Sequence, residues 1–181
     1  MDLTALTIGE AAAALQHGDI TASAYAEALL ARAAQLAELN AFIHHDPTAV
    51  RAAARAADQQ RAGGAKPGLL HGVPLALKDN LDTAGTATTA GTPALRTHKP
   101  TRNAAVVQRL LDAGALVFGK TNLHELAYGI TNHNAGFGAA RNPYDRTRIP
   151  GGSSGGTGVA VGARIVPGGI GSDTGGSVRI P

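Results

Sequence analysis

The sequence contains no cysteine and no tryptophan, and aromatic residues make up only 3% of its 181 residues. The absence of cysteine excludes disulfides, thiolate zinc sites and a cysteine nucleophile. Basic residues are dispersed, so neither a nucleic-acid-binding stripe nor a polybasic membrane patch is predicted. The apolar runs stay short of the ~20 residues that a membrane-spanning helix needs.

The overall composition is that of a globular chain. Hydrophobic residues account for 44% of the sequence and charged residues for 16%, with a net charge of +3. This length is enough for one domain with one sizeable core. The first residues, MDLTALTIGEAAAAL, lack the basic and long apolar regions of a signal peptide, so we expect a cytoplasmic protein.

The first 65 residues are predicted to form an alanine-rich helical region. Thr7 and Glu10 fit a capping box that opens a helix. Asp46–Pro47 and Gly63–Gly64 are start and stop signals for another helix. Between them, apolar residues recur at helical spacing: Tyr25, Leu29, Ala33, Leu36 and Leu39.

Residues 66–181 alternate between strand and helix patterns. The run LLHGVPLALKDNLDTAG predicts a strand entering a loop, and NAAVVQRLLDAGALVFGK predicts a helix followed by a short buried strand. A small-residue helix and a glycine-rich strand follow in GVAVGARIVPGGIGSDTGG. This alternation indicates an α/β fold. We find no linker, so residues 1–181 are expected to belong to a single domain.

One stretch, GALVFGKT at residues 114–121, matches the phosphate-binding loop G-x-x-x-x-G-K-[ST]. A nucleotide-binding protein is therefore an alternative from another functional class. However, such a loop must follow a strand and precede a helix, with an interior that leaves its amides free for phosphate. Here the four middle residues are apolar and a helix precedes them. We interpret the stretch as a buried strand with Gly119 and Lys120 at its exit.

Two glycine–serine stretches, RIPGGSSGGTG and GSDTGGSVRIP, point to acyl transfer. The second offers consecutive unobstructed amides from Thr174, Gly175, Gly176 and Ser177. The segment after the first, TGVAVGA, can begin a helix whose amino-terminal amides are also available to an oxyanion. A serine beside such amides supplies a nucleophile and an oxyanion hole. Flexible linkers are the alternative, but apolar residues flank both stretches.

A serine nucleophile needs a base, and two kinds of residue are available. Four histidines occur in this half of the chain, none of them in a motif that requires it: His71, His98, His124 and His133. Lys78 ends the apolar strand in LALKDN, where desolvation would lower its pKa and let it accept a proton. The alternative is a lysine that extends its head group to solvent at the strand end.

Taken together, three segments resemble the amidase signature family. They are GVPLALKDN with Lys78, GGSSGG with Ser153 and DTGGSVRIP with Ser177. The resemblance covers almost the whole chain and includes the FGKTN part of the apparent phosphate loop. It implies an α/β amidase signature fold, in which helices cover a mixed central β-sheet. Members of the family are considerably longer, so the C-terminal part of the fold is expected to be missing.

The resemblance also implies a Ser–cis-Ser–Lys mechanism. Ser177 matches the nucleophile, Ser153 the bridging serine after a cis peptide bond, and Lys78 the base. Oxyanion-hole amides are implied at Thr174, Gly175, Gly176 and Ser177. Supporting roles are implied for Ser154, Asp173 and Arg179. No metal and no cofactor are implied.

The family likeness leaves the substrate open. Members hydrolyse small amides, including arylacetamides such as indoleacetamide and mandelamide, and HELAYGIT favours that group. Another member is the A subunit, the glutaminase component, of a tRNA-dependent amidotransferase, which would need partner chains. Otherwise we expect a small-molecule amide as partner, no nucleic acid and no membrane, with a homodimer left open. The isolated 181 residues are expected to be an inactive fragment.

Overall fold

A mixed β-sheet forms the centre of the computed structural model, which describes residues 1–64 and 66–181. Its strands are β1 (Phe42–His44), β2 (Pro74–Lys78), β3 (Leu116–Thr121) and β4 (Gly169–Ile170). In these described residues the strand order is β1-β3-β2-β4. β1 runs antiparallel to β3, whereas β2 runs parallel to both β3 and β4. Helices and sheet together give the predicted α/β fold class.

Helices flank the sheet in both halves of the chain. They are α1 (Ile8–His17), α2 (Ala22–Gln35), α3 (Pro47–Ala62), α4 (Ala105–Asp112) and α5 (Gly155–Gly162). The predicted capping box at α1 is present, with Thr7 and Glu10 bonding each other's backbone N–H groups. None of the described helices is long and apolar enough to cross a membrane.

The alanine-rich helices α2 and α3 pack against each other and supply much of the core. Tyr25 and Leu29 on α2 and Val50 on α3 are almost completely buried. The Asp58 carboxylate of α3 accepts hydrogen bonds from the N–H groups of Ala22 and Ser23, at 2.7 and 3.0 Å. Since these amides lie in the first turn of α2 and have no partner within that helix, α3 caps α2 at long range.

Strand β1 interrupts the region that the sequence predicts as wholly helical, so that prediction is wrong at residues 42–44. Asn40, in a left-handed conformation, ends the preceding short 3₁₀ turn, and Asp46 caps α3. The short segment between these caps pairs with β3, with Phe42 opposite Thr121. Residue 65, the last of the predicted helical region, lies outside the described residues.

Gly119 and Lys120 do not lie at the exit of a strand, as the sequence suggested, but inside β3. They pair with Ala76 and Leu77 of β2, and Thr121 pairs with Lys78. The strand is therefore longer than its apolar run because β2 supplies backbone partners through Thr121. Lys120 is consequently fully buried.

Candidate active site

Lys78 lies at the carboxyl end of β2 and is fully buried. Its Nζ lies 2.7 Å from the Oγ of Ser153, which is also fully buried. The same nitrogen donates to Ser172, whose Oγ lies at 2.9 Å and whose carbonyl oxygen lies at 3.3 Å. The lysine predicted from the strand end therefore contacts the serine predicted from the first glycine–serine stretch.

Burial lowers the pKa of Lys78 to about 8, since desolvation disfavours the ammonium form. The negative charge of Asp173 opposes this effect. The groups that touch Nζ are hydroxyls and a carbonyl, none of which carries a charge. A substantial fraction of Lys78 is therefore neutral near pH 8 and able to accept a proton.

The loop that carries Ser153 depends on glycines at close contacts. The peptide bond between Gly152 and Ser153 is cis. A Cβ on Gly152 would lie 2.9 Å from the backbone nitrogen of Asn132, and one on Gly155 would lie 2.6 Å from the Asn132 side chain. These approaches exclude other residues without movement of the backbone. The carbonyl of Ser153 accepts a hydrogen bond from the His124 N–H at 3.1 Å.

Helix α5 begins directly after Ser154, two residues before the TGVAVGA segment in which the sequence predicted a helix start. One of its amino-terminal amides already has a protein acceptor, because the Gly156 N–H donates to the Asn122 carbonyl at 2.9 Å. That amide is therefore not available to an oxyanion. Its function in this structure is to hold the start of α5 on the segment that follows β3.

Ser177 belongs to the second glycine–serine stretch and is half-buried. Its carbonyl oxygen accepts a hydrogen bond from the Ser154 N–H at 3.1 Å, which holds the two stretches together. Within residues 1–64 and 66–181, the Ser177 hydroxyl makes no hydrogen bond. The structure therefore brings Ser177 beside Ser153 and Ser154 without a formed contact between the two hydroxyls.

The amides predicted for the oxyanion hole fall into two groups. The Gly176 N–H donates to the Asp173 carboxylate at 2.7 Å. The N–H groups of Thr174, Gly175 and Ser177 have no acceptor among the residues that the structure describes. Three of the four predicted amides are thus unengaged, and the fourth helps to shape the loop.

Asp173 and Arg179 form an ion pair across this loop. The Arg179 guanidinium donates to both carboxylate oxygens of Asp173, each at 3.1 Å. The N–H of Val178 donates to the same carboxylate at 3.0 Å. These hydrogen bonds, the one from Arg179 foremost, hold the pKa of Asp173 well below its usual range. The pair thus closes the turn that carries Ser177.

Two residues near Lys78 were not predicted from the sequence. Ser172 receives hydrogen bonds from Lys78 and from the Asn80 side chain, whose Nδ2 lies 2.9 Å from Ser172 Oγ. Ser154 Oγ also donates to the Ser172 carbonyl, at 3.2 Å. Asn80 follows Lys78 by two positions, in the turn that the Leu81 N–H closes onto the Lys78 carbonyl at 3.0 Å. That spacing was the one available signal, whereas nothing local distinguishes Ser172.

The four candidate histidines lie elsewhere. Within the described residues, none of their rings forms a hydrogen bond with Lys78, Ser153 or Ser177. His71 is buried, with its Nε2 3.0 Å from the Ala57 carbonyl. The His124 ring instead pairs with the Thr131 hydroxyl. Lys78 is accordingly the basic side chain in contact with the serines.

Comparison with known proteins places the chain in a family. A sequence model of the Amidase family matches residues 24–181, and the chain belongs to that family. The mandelamide hydrolase of Pseudomonas putida is 48% identical, over 97% of this chain and 36% of that protein. The A subunit of the glutamyl-tRNA(Gln) amidotransferase of Chloroflexus aurantiacus (strain J-10-fl) is also 48% identical, over 99% of this chain and 37% of that protein.

Solved structures agree with this assignment. The peptide amidase of Stenotrophomonas maltophilia superposes with a TM-score of 0.89 at 40% identity, over 96% of this chain and 37% of that one. The family and the α/β fold predicted from the sequence are therefore confirmed. The chain spans little more than a third of the length of the curated relatives it matches.

Proposed function

We propose that the complete protein carrying this chain hydrolyses a carboxylic amide to an acid and ammonia, through an acyl-enzyme on Ser177. The observation that carries the proposal is the 2.7 Å contact between Lys78 Nζ and Ser153 Oγ, both fully buried. A lysine without a counter-ion in direct contact, beside two serine loops, is suited to proton transfer.

The proposed reaction begins with the neutral amine of Lys78. It takes the proton of Ser153, which takes the proton of Ser177 as Ser177 attacks the amide carbonyl. The unengaged amides of Thr174, Gly175 and Ser177 are suited to the developing oxyanion. The proton returns to the leaving nitrogen, ammonia departs, and water then cleaves the ester on Ser177.

This path requires the Ser177 hydroxyl to turn toward Ser153. The required contact is not formed in the present structure, where Ser177 is held through its backbone carbonyl. Catalytic hydrogen bonds often tighten only when substrate binds, so we expect this contact to form in the substrate complex.

An aryl or alkyl acyl group is the substrate class we favour. The His124 N–H binds the Ser153 carbonyl, so the segment after His124 begins beside the bridging serine. Large apolar side chains stand exposed along it: Leu126, Tyr128 and Ile130. Such a surface suits an apolar acyl group, and a relative at 48% identity is named for mandelamide.

A second candidate is the A subunit of an amidotransferase. Its support is the equal identity, 48%, to a protein of that name. In that case glutamine would supply the ammonia, and partner chains would complete the enzyme. A small-molecule amide is the substrate of the Ser177 reaction under both candidates.

Both candidates are tested by ammonia release from the complete natural protein. The panel is mandelamide, phenylacetamide, indoleacetamide and glutamine, with Ser177→Ala as the inactive variant and Ser23→Ala as a control serine. We expect arylamide turnover that falls at least ~10³-fold in Ser177→Ala and is unchanged in Ser23→Ala. Turnover of glutamine alone would favour the amidotransferase. Amide turnover that survives Ser177→Ala would overturn the acyl-enzyme.

A further inference from the structure

A second buried lysine, Lys120, lies on the other face of the sheet from Lys78. In the parallel pairing of β2 and β3, Lys120 is opposite Leu77 and Thr121 is opposite Lys78. Because successive side chains on a strand point to opposite faces, Lys120 points away from the serines. Its Nζ lies 3.0 Å from Asp79 Oδ1, and neither side chain is exposed to solvent.

Asp79, the residue after Lys78, is held at its backbone and its side chain. Its N–H donates to the Thr121 carbonyl at 3.1 Å, and its carbonyl accepts from the Ala90 N–H at 2.8 Å. Its second carboxylate oxygen accepts from the N–H and the hydroxyl of Thr89. The end of β2 therefore has little freedom to shift the Cα from which Lys78 projects.

Lys120 also binds the loop at residues 87–91, which contacts the turn that holds Ser153. Its Nζ donates to the Thr88 hydroxyl at 2.8 Å. Two residues on, the Ala90 carbonyl accepts from the Leu126 N–H at 2.7 Å, and the same turn places the His124 N–H on the Ser153 carbonyl. Both ends of the Lys78–Ser153 contact are thus connected to the ion pair by short chains of hydrogen bonds.

This environment also gives the lysine of GALVFGKT a function other than phosphate binding. Lys120 is fully buried, and the Asp79 carboxylate already compensates its charge. A phosphate has no access to it without unfolding of the loop at residues 87–91. The apparent nucleotide motif is instead part of the sheet beside the candidate active site.

We propose that the Lys120–Asp79 ion pair is a positioning device that sets the distance and direction between Lys78 and Ser153, and so the rate of proton transfer. The inference rests on the hydrolase function proposed above. Misplacement of a catalytic group by about 1 Å can cost ~10²-fold in rate, so a pair that fixes one end of β2 matters to kcat. Because it touches no substrate, it has no direct effect on KM.

The test uses a neutral pair in the complete natural protein, Asp79→Asn combined with Lys120→Gln. This double variant removes both buried charges together, so no single charge is left without a partner. The exposed Glu27–Arg51 pair, at 2.6 Å, provides the matched control as Glu27→Gln with Arg51→Gln. Folding is followed by thermal melting, and arylamide hydrolysis gives kcat and KM across pH.

We expect the folded neutral-pair variant to lose about tenfold or more in kcat while KM stays within about twofold. The acid limb of its pH–rate profile should move to higher pH, because a loosened Lys78 regains solvent. The surface control should match the wild type. A neutral-pair variant that folds and keeps the wild-type kcat and pH profile would overturn the proposal, whatever happens to its melting temperature.

A second pair of variants keeps the test decisive if the neutral pair does not fold. Thr88→Val and Thr89→Val preserve side-chain volume and both charges, but each removes one hydroxyl that ties the pair to its loop. A fall of a few fold in kcat at constant KM supports positioning, and no change in either variant contradicts it. If the wild-type protein itself hydrolyses no amide, that result would instead count against the proposed hydrolase function.

Discussion

The two buried lysines differ in the groups around their charge. Lys120 has a carboxylate at 3.0 Å and a hydroxyl at 2.8 Å. Lys78 contacts two hydroxyls and a carbonyl, and the Asp173 carboxylate acts on its charge through space without a hydrogen bond. Both lie at the same end of neighbouring strands, on opposite faces of the sheet.

This difference in partners indicates a difference in function. Burial lowers the pKa of Lys120 as well, but the Asp79 carboxylate at 3.0 Å opposes this effect in direct contact, and the contribution of such a paired lysine is to hold structure. Lys78 touches only neutral groups, and the charge of Asp173 offsets its desolvation only in part, so its pKa falls to about 8 and it becomes a usable base. Burial alone therefore does not identify a catalytic lysine, whereas burial without a carboxylate in contact does favour one.

The largest expected effect comes from removing the amine of Lys78. Lys78→Met should lower kcat for amide hydrolysis by about 10³-fold or more, because the proton relay loses its base. The measurement is ammonia release by the complete protein under substrate saturation. Lys66→Met, at a lysine that is exposed, is the control and should keep wild-type activity. A Lys78→Met enzyme with more than a tenth of normal activity would contradict the assignment.

The next largest effect is a loss of stability when the amine of Lys120 is removed. Lys120→Met leaves Asp79 buried and without its counter-ion, so it should lower the free energy of unfolding by about 3–5 kcal/mol. Denaturant unfolding of the complete protein measures this loss. The exposed pair of Arg146 and Glu38 offers the control, since Arg146→Met should cost less than about 1 kcal/mol. Equal costs at the two sites would show that the buried charge is not compensated by Lys120.

Whereas Lys120→Met should destabilise the protein, Lys78→Met should stabilise it. The pKa of Lys78 is about 8 in the folded protein and about 10.5 unfolded, so the unfolded chain binds more protons between these values. Stability therefore rises with pH across this interval, and below it the buried charge is a cost on the order of 3 kcal/mol. Allowing for lost hydrogen bonds, Lys78→Met should stabilise the protein by about 1–2 kcal/mol at pH 7.

The effect of Lys78→Met on stability is tested by its dependence on pH. Denaturant unfolding at pH 7 and pH 10 should show a gain in Lys78→Met at pH 7 that shrinks as the pH rises. If the variant is less stable than the wild type at both pH 7 and pH 10, the burial of charged Lys78 does not lower the stability of the protein.

The smallest effect on kcat is expected from changing one neutral hydrogen-bond partner of Lys78. Ser172→Ala removes the hydroxyl that lies 2.9 Å from Lys78 Nζ. We expect kcat to fall by roughly three- to tenfold with little change in KM, since one positioning hydrogen bond is worth about 1 kcal/mol. Thr4→Ala, at an exposed hydroxyl near the amino terminus, is the control. A loss as large as that of Lys78→Met would give Ser172 a direct part in proton transfer.

The sequence predicted the parts of the site that local patterns encode. Lys78 ends an apolar strand, and Ser153 and Ser177 lie in glycine-rich turns, which made them candidates, whereas their separate roles were implied by the family resemblance. The contacts between them could not be predicted from spacing alone. Asp79–Lys120 was missed for the same reason, because the pair depends on the register of β2 against β3. Strand β1 was missed because three residues between two helix caps carry too little periodicity.

The central claim is that a neutral Lys78 activates Ser177 through Ser153, and one measurement tests it directly. The rate at which a fluorophosphonate labels Ser177 in the complete protein is followed from pH 6 to pH 10. We predict that the rate rises with an apparent pKa near 8 in the wild type and loses this rise in Lys78→Met. Labelling of Ser177 that is independent of pH, or unchanged in Lys78→Met, would contradict the account.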